Sequence, residues 1–206
     1  MRNIIFMIII LWGSTGCGKI EMQEEDIKAA IGIECGAISG KGVIYEDTDE
    51  YLIILTAAHV LELQKEGQPV RVAFSKDKIV QGIEIIISET SDIAFVKLSK
   101  SSLEEAGITN WKKVTVDKDK FDAMKSGDNV FLEGGREASL KENWIYVEDF
   151  SQYMMLVKGE GTPGMSGGGL YDEAGNLVGI LCGVNEEGET AAVPLSIIMA
   201  EYAQYY

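Results

Sequence analysis

Short apolar runs separated by turn residues recur along this chain, and they constrain its fold more than any other feature. We predict the first set as the strands Ile31–Ile38, Gly42–Tyr45, Tyr51–Leu55, Val70–Phe74, Ile79–Ile87 and Ile93–Leu98. The second set is Asn129–Glu133, Trp144–Val147, Tyr153–Val157, Gly168–Tyr171, Leu177–Cys182 and Thr190–Val193. Many short strands with turns between them indicate an all-β barrel or sandwich.

Two segments depart from this pattern. Residues 101–125 are more polar, and we expect them to connect the two sets of strands, with short helices along the way. The segment 195–205 is apolar at roughly helical spacing and contains no proline, which predicts a C-terminal helix.

A serine boxed by small residues lies between two of the predicted strands, in the segment Gly164-Met165-Ser166-Gly167-Gly168-Gly169. Glycines let the backbone turn sharply there and approach a ligand closely. A serine exposed on such a turn can attack a carbonyl, and neighbouring N–H groups can bind the resulting oxyanion. Taken alone, the same segment also fits an ordinary glycine-rich hairpin loop.

A base and an acid that could serve this serine occur earlier in the chain. His59 is the single histidine, and it lies between the strand Tyr51–Leu55 and a short helical stretch. Asp92 directly precedes the apolar run Ile93–Leu98. A lone histidine is more often a core or surface residue, and an aspartate at a strand start is commonly a turn or cap residue.

Together these three segments resemble the trypsin-like (chymotrypsin-fold) serine proteases, in which histidine, aspartate and serine follow in this order. The short gaps between them resemble the bacterial HtrA (Deg) branch, although no PDZ-like extension fits after residue 206. Other matching segments are Thr56–His59, Ser39–Ile44, Ser126–Val130, Gly179–Leu181 and Ala192–Pro194. The resemblance covers roughly residues 30–200, and its motifs are specific jointly rather than singly.

The resemblance implies two six-stranded antiparallel β-barrels followed by the C-terminal helix. The peptidase domain would span residues 30–206, with the first barrel at about 30–110 and the second at about 120–195. His59 and Asp92 would then lie on one side of a cleft and Ser166 on the other. The activity implied is that of a serine endopeptidase acting on proteins or peptides.

In such an enzyme Ser166 attacks the scissile carbonyl, His59 transfers the proton, and Asp92 orients the imidazole. The N–H groups of Gly164 and Ser166 would form the oxyanion hole. The segment Cys182-Gly183-Val184 would pair with an extended substrate. Met165 stands where the digestive enzymes carry an aspartate that pairs with a new N-terminus, so we expect no activation of the trypsinogen type.

The residue preferred at the cleavage site follows less directly from the sequence. The resemblance places Glu160 at the floor of the specificity pocket, where a carboxylate would favour Lys or Arg. The polar loop around Glu160 could equally turn its side chain to solvent, and Ile180, Leu181 and Val184 offer mainly apolar surface. We therefore expect small or medium apolar residues, with Lys or Arg as the second choice. A preference for glutamate is disfavoured because the pocket has no second histidine.

Charge and cysteine content limit the other functions. A formal net charge of −15 disfavours nucleic acid as a partner, because such binding needs basic patches. The acidic residues lack the His and Cys clustering of metal sites, so we expect neither a metal nor a cofactor. We expect Cys35 and Cys182 to be separate buried thiols; a cysteine nucleophile paired with His59 is a weaker alternative.

The N-terminus has the pattern of an export signal. Arg2 precedes the apolar run Ile4–Trp12, which is too short for a transmembrane span. Thr15-Gly16-Cys17 resembles the cleavage box of a bacterial lipoprotein, although Ser14 replaces its usual leucine. We expect residues 1–17 to be a signal with lipid on Cys17 and residues 18–29 to be a tether, placing the domain outside the cytoplasm and anchored to the membrane. A plain signal peptide and an uncleaved anchor are the alternatives.

A second function class also fits these observations: a surface-anchored binding module that kept the protease fold and lost turnover. The complete His, Asp and Ser set argues against it. The sequence leaves the oligomeric state open.

Overall fold

The computed structural model of the chain describes residues 6–7 and 30–206, which form two antiparallel β-sheets, short helical segments between them and a C-terminal helix. Phe6–Met7 form the two-residue strand β1. Apart from this strand, the signal and tether expected at residues 1–29, including Cys17, lie outside the described residues.

The N-terminal half folds into one seven-stranded sheet. Its strands are β2 (Ala30–Cys35), β3 (Ile38–Asp47), β4 (Tyr51–Thr56), β5 (Val70–Ser75), β6 (Lys78–Gln81), β7 (Glu84–Ile87) and β8 (Ala94–Ser99). Their order across the sheet is β6-β5-β2-β3-β4-β8-β7. A 3₁₀ helix at Ala58–Glu66 follows β4, where the sequence predicts a short helical stretch.

The run 79–87, predicted as one strand, is divided at Gly82 into β6 and β7. The Gly82 N–H donates to the Val70 carbonyl on β5, whereas the Ile83 N–H donates to the Lys97 carbonyl on β8. The chain therefore changes its pairing partner within two residues, and the sheet remains a half-barrel. The expectation of two closed barrels is not confirmed, because strand pairing closes only the C-terminal sheet.

Two short helices lie in the connection between the halves, as the sequence predicts for residues 101–125. They are α1 (Lys100–Glu105) and α2 (Lys118–Ala123). The Ser99 hydroxyl caps α1, and the Asp117 carboxylate caps α2 by accepting a 3.0 Å hydrogen bond from the Lys120 N–H.

The C-terminal half is a closed six-stranded barrel. Its strands are β9 (Asn129–Leu132), β10 (Arg136–Val147), β11 (Gln152–Lys158), β12 (Gly169–Asp172), β13 (Leu177–Asn185) and β14 (Glu189–Pro194). The order β13-β12-β9-β10-β11-β14 closes through pairing of β13 with β14. The strand β1 pairs with the end of β13, outside this ring.

Strand β11 shows how the two halves share a core. Side chains alternate between the two faces of a strand. Met154 and Leu156 on one face join the cluster that fills the N-terminal sheet, and Met155 and Val157 on the other face fill the closed barrel. This strand is apolar at four consecutive positions because both of its faces are buried.

The C-terminal helix α3 (Leu195–Tyr205) packs on the N-terminal sheet. The Tyr202 ring lies 5.0 Å from that of Tyr45 and 5.7 Å from that of Phe95, with both pairs edge to face. This helix therefore returns the end of the chain from the closed barrel to the half-barrel. No helix in the described part of the chain is long and apolar enough to span a membrane.

Candidate active site

Ser166 lies on a tight turn whose shape depends on glycine. Gly164 and Gly167 have φ values of +87° and +83°, a left-handed conformation that side chains disfavour. A Cβ on Gly167 would also collide with the Lys41 carbonyl oxygen and the Thr56 hydroxyl. The glycine at this position therefore brings the serine turn directly against the N-terminal sheet.

Backbone and side-chain hydrogen bonds hold the serine turn against that sheet. The Lys41 N–H on β3 donates to the Ser166 carbonyl oxygen over 2.7 Å. The Thr56 hydroxyl at the end of β4 donates to the Lys41 carbonyl oxygen over 2.6 Å. The position of Ser166 is thus set by the strands that lead to His59.

His59 and Asp92 are brought together by the ends of two paired strands, β4 and β8. Asp92 accepts two hydrogen bonds from His59: from the backbone N–H at 2.9 Å and from Nδ1 at 2.7 Å. Both side chains are largely buried, with exposed fractions of 10% and 12%. This contact fixes the ring orientation and leaves Nε2 as the nitrogen able to accept a proton.

Cys182 on β13 lies between the serine and the aspartate. Its carbonyl oxygen accepts a 3.3 Å hydrogen bond from the Ser166 hydroxyl, and its thiol lies 3.9 Å from the Asp92 carbonyl oxygen. His59 Nε2 is buried and has no hydrogen-bond partner among the described residues. The Ser166 hydroxyl and His59 Nε2 are therefore not hydrogen-bonded to each other in this structure.

The backbone N–H groups of the serine turn divide into two sets. Those of Met165, Gly167 and Gly168 donate within the protein, to the carbonyl oxygens of Thr162, Leu181 and Met165 respectively. Those of Gly164 and Ser166, the two predicted for the oxyanion hole, donate to no acceptor within the described residues. Two donors on the serine turn are thus left available to a ligand.

A small pocket of about 20 Å³ opens beside Ser166. Its lining includes the predicted residues Cys182, Gly183 and Val184. Sequence reasoning did not single out the lining residues Gly161, Thr162 and Thr190, nor the exposure of Met165 to this pocket. The lining carries no charged side chain.

Glu160 is not brought into this pocket. Its side chain is exposed, and its carbonyl oxygen accepts a 2.8 Å hydrogen bond from Arg136 Nη1. The next residue, Gly161, lines the pocket instead, with its N–H bonded to the Thr190 hydroxyl at 2.9 Å. Thr190 also donates to the Gly159 carbonyl oxygen, so it holds the segment on both sides of Glu160.

The two cysteines are separate buried thiols, as expected. Burial raises the pKa of the Cys182 thiol well above 9.0, and the neighbouring Asp92 charge raises it further. Burial also raises the pKa of Cys35. Neutral thiols are poor nucleophiles, so the structure does not favour a cysteine nucleophile paired with His59. Within the described residues, no group of three or more His, Cys, Asp or Glu side chains could hold a metal ion.

Two side chains that sequence reasoning did not find support the site from the C-terminal half. Gln152 at the start of β11 accepts a 3.0 Å hydrogen bond from the Asp92 N–H. Glu133 after β9 accepts from the N–H groups of Gly169 and Gly134, both at 3.2 Å. Burial raises the pKa of Glu133, although these two hydrogen bonds oppose that shift. Neither residue lies in a motif, so only the folded chain reveals them.

Comparisons with known proteins agree with this geometry. A family model described as the trypsin-like peptidase domain matches residues 40–180, which is more than half of the chain. HtrA-like serine proteases of Staphylococcus aureus, from strains bovine RF122 / ET3-1 and USA300, are 29% identical over 173 residues. These alignments cover 76% of this chain and 22% of each relative. The chain thus spans about a fifth of the length of the curated relatives it matches.

Solved structures show the same fold at lower identity. The active form of the Rv3671c protease from M. tuberculosis matches with a TM-score of 0.63 and 17% identity, over 85% of this chain and 79% of that one. The HtrA-type protease AlgW with a tripeptide matches with a TM-score of 0.63 and 20% identity, over 84% of this chain and 58% of that one. Since the family model spans the strands that carry the serine turn and the His59–Asp92 pair, this chain belongs to the trypsin-like peptidase family and has HtrA-like serine proteases among its relatives.

Proposed function

We propose that this chain is a serine endopeptidase in which Ser166 is the nucleophile, His59 the general base and Asp92 its orienting acid. The observation that carries the proposal is the pair of N–H groups of Gly164 and Ser166. They donate to no acceptor in the described part of the chain, and they lie on the turn of a serine near a buried His–Asp pair. Both donors belong to the turn that carries Ser166, where they are available to an oxyanion formed at its hydroxyl.

The proposed reaction follows from these positions. The Ser166 hydroxyl rotates from the Cys182 carbonyl towards His59 Nε2, which takes its proton as Oγ attacks the scissile carbon. The oxyanion that forms accepts hydrogen bonds from the N–H groups of Gly164 and Ser166. His59 then gives the proton to the leaving amine, and water repeats the sequence on the acyl-enzyme. Asp92 stabilises the imidazolium in both steps.

An extended substrate would add to the edge of β13. Strand β12 pairs with one edge of β13 only as far as Gly169 opposite Ile180, and β14 covers the other edge. The Leu181 N–H and carbonyl still bond to Gly168 and Gly167 of the serine turn, so among the described residues the β12-side edge lacks a strand partner at Cys182 and Gly183, next to Ser166. Farther along this edge, Met7 of β1 pairs antiparallel with Val184. An extended segment in that position supports antiparallel addition of a substrate to the same edge.

The pocket supports a preference for small or medium apolar residues before the scissile bond. Its walls include Met165, Leu181 and Val184, and the Thr190 hydroxyl is already hydrogen-bonded to Gly159. A Lys or Arg side chain would find no carboxylate among the lining residues. Cleavage after Lys or Arg remains the second choice, because the exposed Glu160 carboxylate could still pair with a basic side chain of the substrate.

Export and membrane attachment are also part of the proposal, and they rest on the sequence of the N-terminus. The short apolar run and the box ending at Cys17 support a lipid-anchored protein outside the cytoplasm. Protein or peptide substrates would then meet the enzyme at the membrane surface. No observation favours the binding-module alternative over catalysis.

The decisive experiment compares the full chain with Ser166→Ala in the hydrolysis of unfolded casein. Ser101→Ala, an exposed serine on α1, is the matched control. We expect the Ser166 variant to lose several orders of magnitude in rate and the control to keep it. A fluorophosphonate probe should label the parent and the control and leave Ser166→Ala unlabelled. Equal hydrolysis by all three proteins would show that Ser166 is not the nucleophile.

A further inference from the structure

A buried carboxylate on helix α3 receives three hydroxyl groups. Glu201 is only 7% exposed on a largely apolar helix. Its Oε1 accepts hydrogen bonds from the hydroxyls of Ser88 at 2.9 Å, Thr90 at 2.6 Å and Ser91 at 3.1 Å. The convergence of three donors on one oxygen ties the last helix of the chain to a loop more than a hundred residues earlier.

That loop ends at Asp92. Within it, the Ser88 hydroxyl also accepts from the N–H groups of Thr90 and Ser91, at 3.1 and 3.0 Å. The Ile93 N–H donates to the Ser91 carbonyl oxygen at 2.8 Å, which closes the loop around the aspartate. The backbone before Asp92 is therefore held by hydroxyls whose orientation depends on Glu201.

The other fixed point of Asp92 also comes from the C-terminal half. Gln152 on β11 accepts the Asp92 N–H at 3.0 Å. The aspartate belongs to the N-terminal sheet, yet the backbone groups that hold it are supported by β11 and α3. Its two oxygens meet His59 at 2.9 and 2.7 Å, distances that a small displacement of the loop would lengthen.

We infer that Glu201 is a positioning residue for the His59–Asp92 pair, acting as the hydrogen-bond acceptor that fixes the Ser88–Ser91 loop. This inference rests on the proposed peptidase function. Without Glu201, the hydroxyls of the half-buried Ser88 and Ser91 and of the exposed Thr90 lose their shared acceptor, and the loop loses the contact that fixes it to α3. Displacement of a catalytic group by about 1 Å can cost roughly 100-fold in rate. Glu201 itself touches neither substrate nor the reacting atoms.

The test uses three variants of the full chain. Glu201→Ala removes the acceptor, Glu201→Gln keeps an oxygen at the same place without the charge, and Glu105→Ala removes an exposed glutamate from α1 as the control. We expect kcat to fall about 10- to 100-fold in Glu201→Ala, with KM unchanged because the substrate edge and pocket are intact. Glu201→Gln should recover most of kcat, and the control should match the parent.

A purely structural role predicts a different pattern, in which less folded protein is recovered while kcat per labelled active site is unchanged. Counting active sites with the fluorophosphonate probe separates the two. If Glu201→Ala does not fold, Ser91→Ala and Thr90→Val remove individual donors and should lower kcat by a smaller factor. An unchanged kcat in every folded variant, or equal losses in Glu201→Ala and Glu201→Gln, would overturn the inference.

A spectroscopic measurement tests the positioning without relying on hydrolysis. The chain has one histidine, so imidazole NMR signals belong to His59 without further assignment. We expect a protected Nδ1 proton in the parent and in Glu201→Gln, and its broadening by solvent exchange in Glu201→Ala. If the parent hydrolyses nothing but shows this pattern, the proposed function fails and the positioning stands. If the Nδ1 proton is equally protected in Glu201→Ala, the positioning is wrong.

Discussion

At the scale of single residues, Gly167 shows most directly how the serine turn depends on glycine. We predict that Gly167→Ala destabilises the protein and abolishes peptidase activity. The left-handed backbone alone costs about 1–2 kcal/mol for alanine. The collision of the methyl group with Lys41 and Thr56 adds about 1–3 kcal/mol. Urea unfolding and casein hydrolysis would measure the two effects.

Gly175→Ala is the matched control for that substitution. Gly175 has a similar φ of +79°, but a Cβ there would meet no atom within 4 Å. Gly175→Ala should therefore lose only the stability that a left-handed backbone costs an alanine, and it should keep full activity. If both variants lost the same stability, close packing of the serine turn against the sheet would not be the cause.

Cleavage preference is also decided by single residues. We predict that a peptide library shows cutting after small and medium apolar residues, and that Glu160→Gln leaves this profile unchanged. Val184→Gly, which removes a pocket wall, should raise cleavage after larger apolar residues by about tenfold or more. Dominant cleavage after Lys or Arg that disappears in Glu160→Gln would instead make Glu160 the specificity residue.

At the scale of elements, an ion pair joins β10 to β14 beside the pocket segment. Lys141 Nζ lies 2.6 Å from Glu189 Oε1, and Asn185 donates to the other carboxylate oxygen. Burial alone would raise the pKa of Glu189, but these hydrogen bonds and the Lys141 charge outweigh it. The pKa is therefore lowered from 4.5. A lowered pKa stabilises the fold above the unfolded value of about 4.5, and this stabilisation is lost as pH falls through the folded value.

We therefore predict that Lys141→Met destabilises the protein by about 1.5–3 kcal/mol at pH 7 and by less in acid, once the pH has fallen below the lowered pKa of Glu189. Urea unfolding at neutral and at acid pH measures the difference. Lys118→Met, which breaks the exposed pair with Asp122, should have little effect at either pH. A Lys141→Met effect that does not depend on pH would contradict the assignment to Glu189.

Elements with strong local patterns could be predicted from the sequence, and those set by contacts between distant segments could not. The apolar run of β4 and the helical spacing of apolar residues in α3 are visible in the sequence, and both elements form as predicted. The division of 79–87 into β6 and β7 escaped prediction, because it depends on pairing with β5 and β8. The backbone of Glu160 is likewise held by a distant residue, since its carbonyl oxygen accepts from Arg136, 24 residues earlier in the chain.

The residues of the candidate site also differ in whether the sequence alone could reveal them. His59, Asp92 and Ser166 lie in short motifs that are recognisable in the sequence itself. Gln152 and Glu201 contact the Asp92 segment from far along the chain, and a buried glutamate in an apolar helix looks like an ordinary exposed position until the helix is packed. No local signal distinguishes such supporting residues.

At the scale of the whole molecule, attachment to a membrane is the remaining prediction from the sequence. We expect the mature protein to begin at Cys17 with a lipid on its thiol. Mass spectrometry of the mature N-terminus tests this, and Cys17→Ser should release the protein from the membrane fraction without changing hydrolysis. An unmodified N-terminus beyond Cys17 would exclude the lipid anchor while leaving export intact.

The open edge of β13 beside Ser166 also affects how copies of the molecule meet. An edge that can pair with a substrate can in principle pair with the same edge of another copy and begin an aggregate. Glu186 and Glu187 are exposed directly after that edge, so two copies approaching there bring like charges together. The net charge of −15 adds a general repulsion. These acidic residues therefore oppose edge-to-edge contact between copies of the protein at the place where the substrate is proposed to bind.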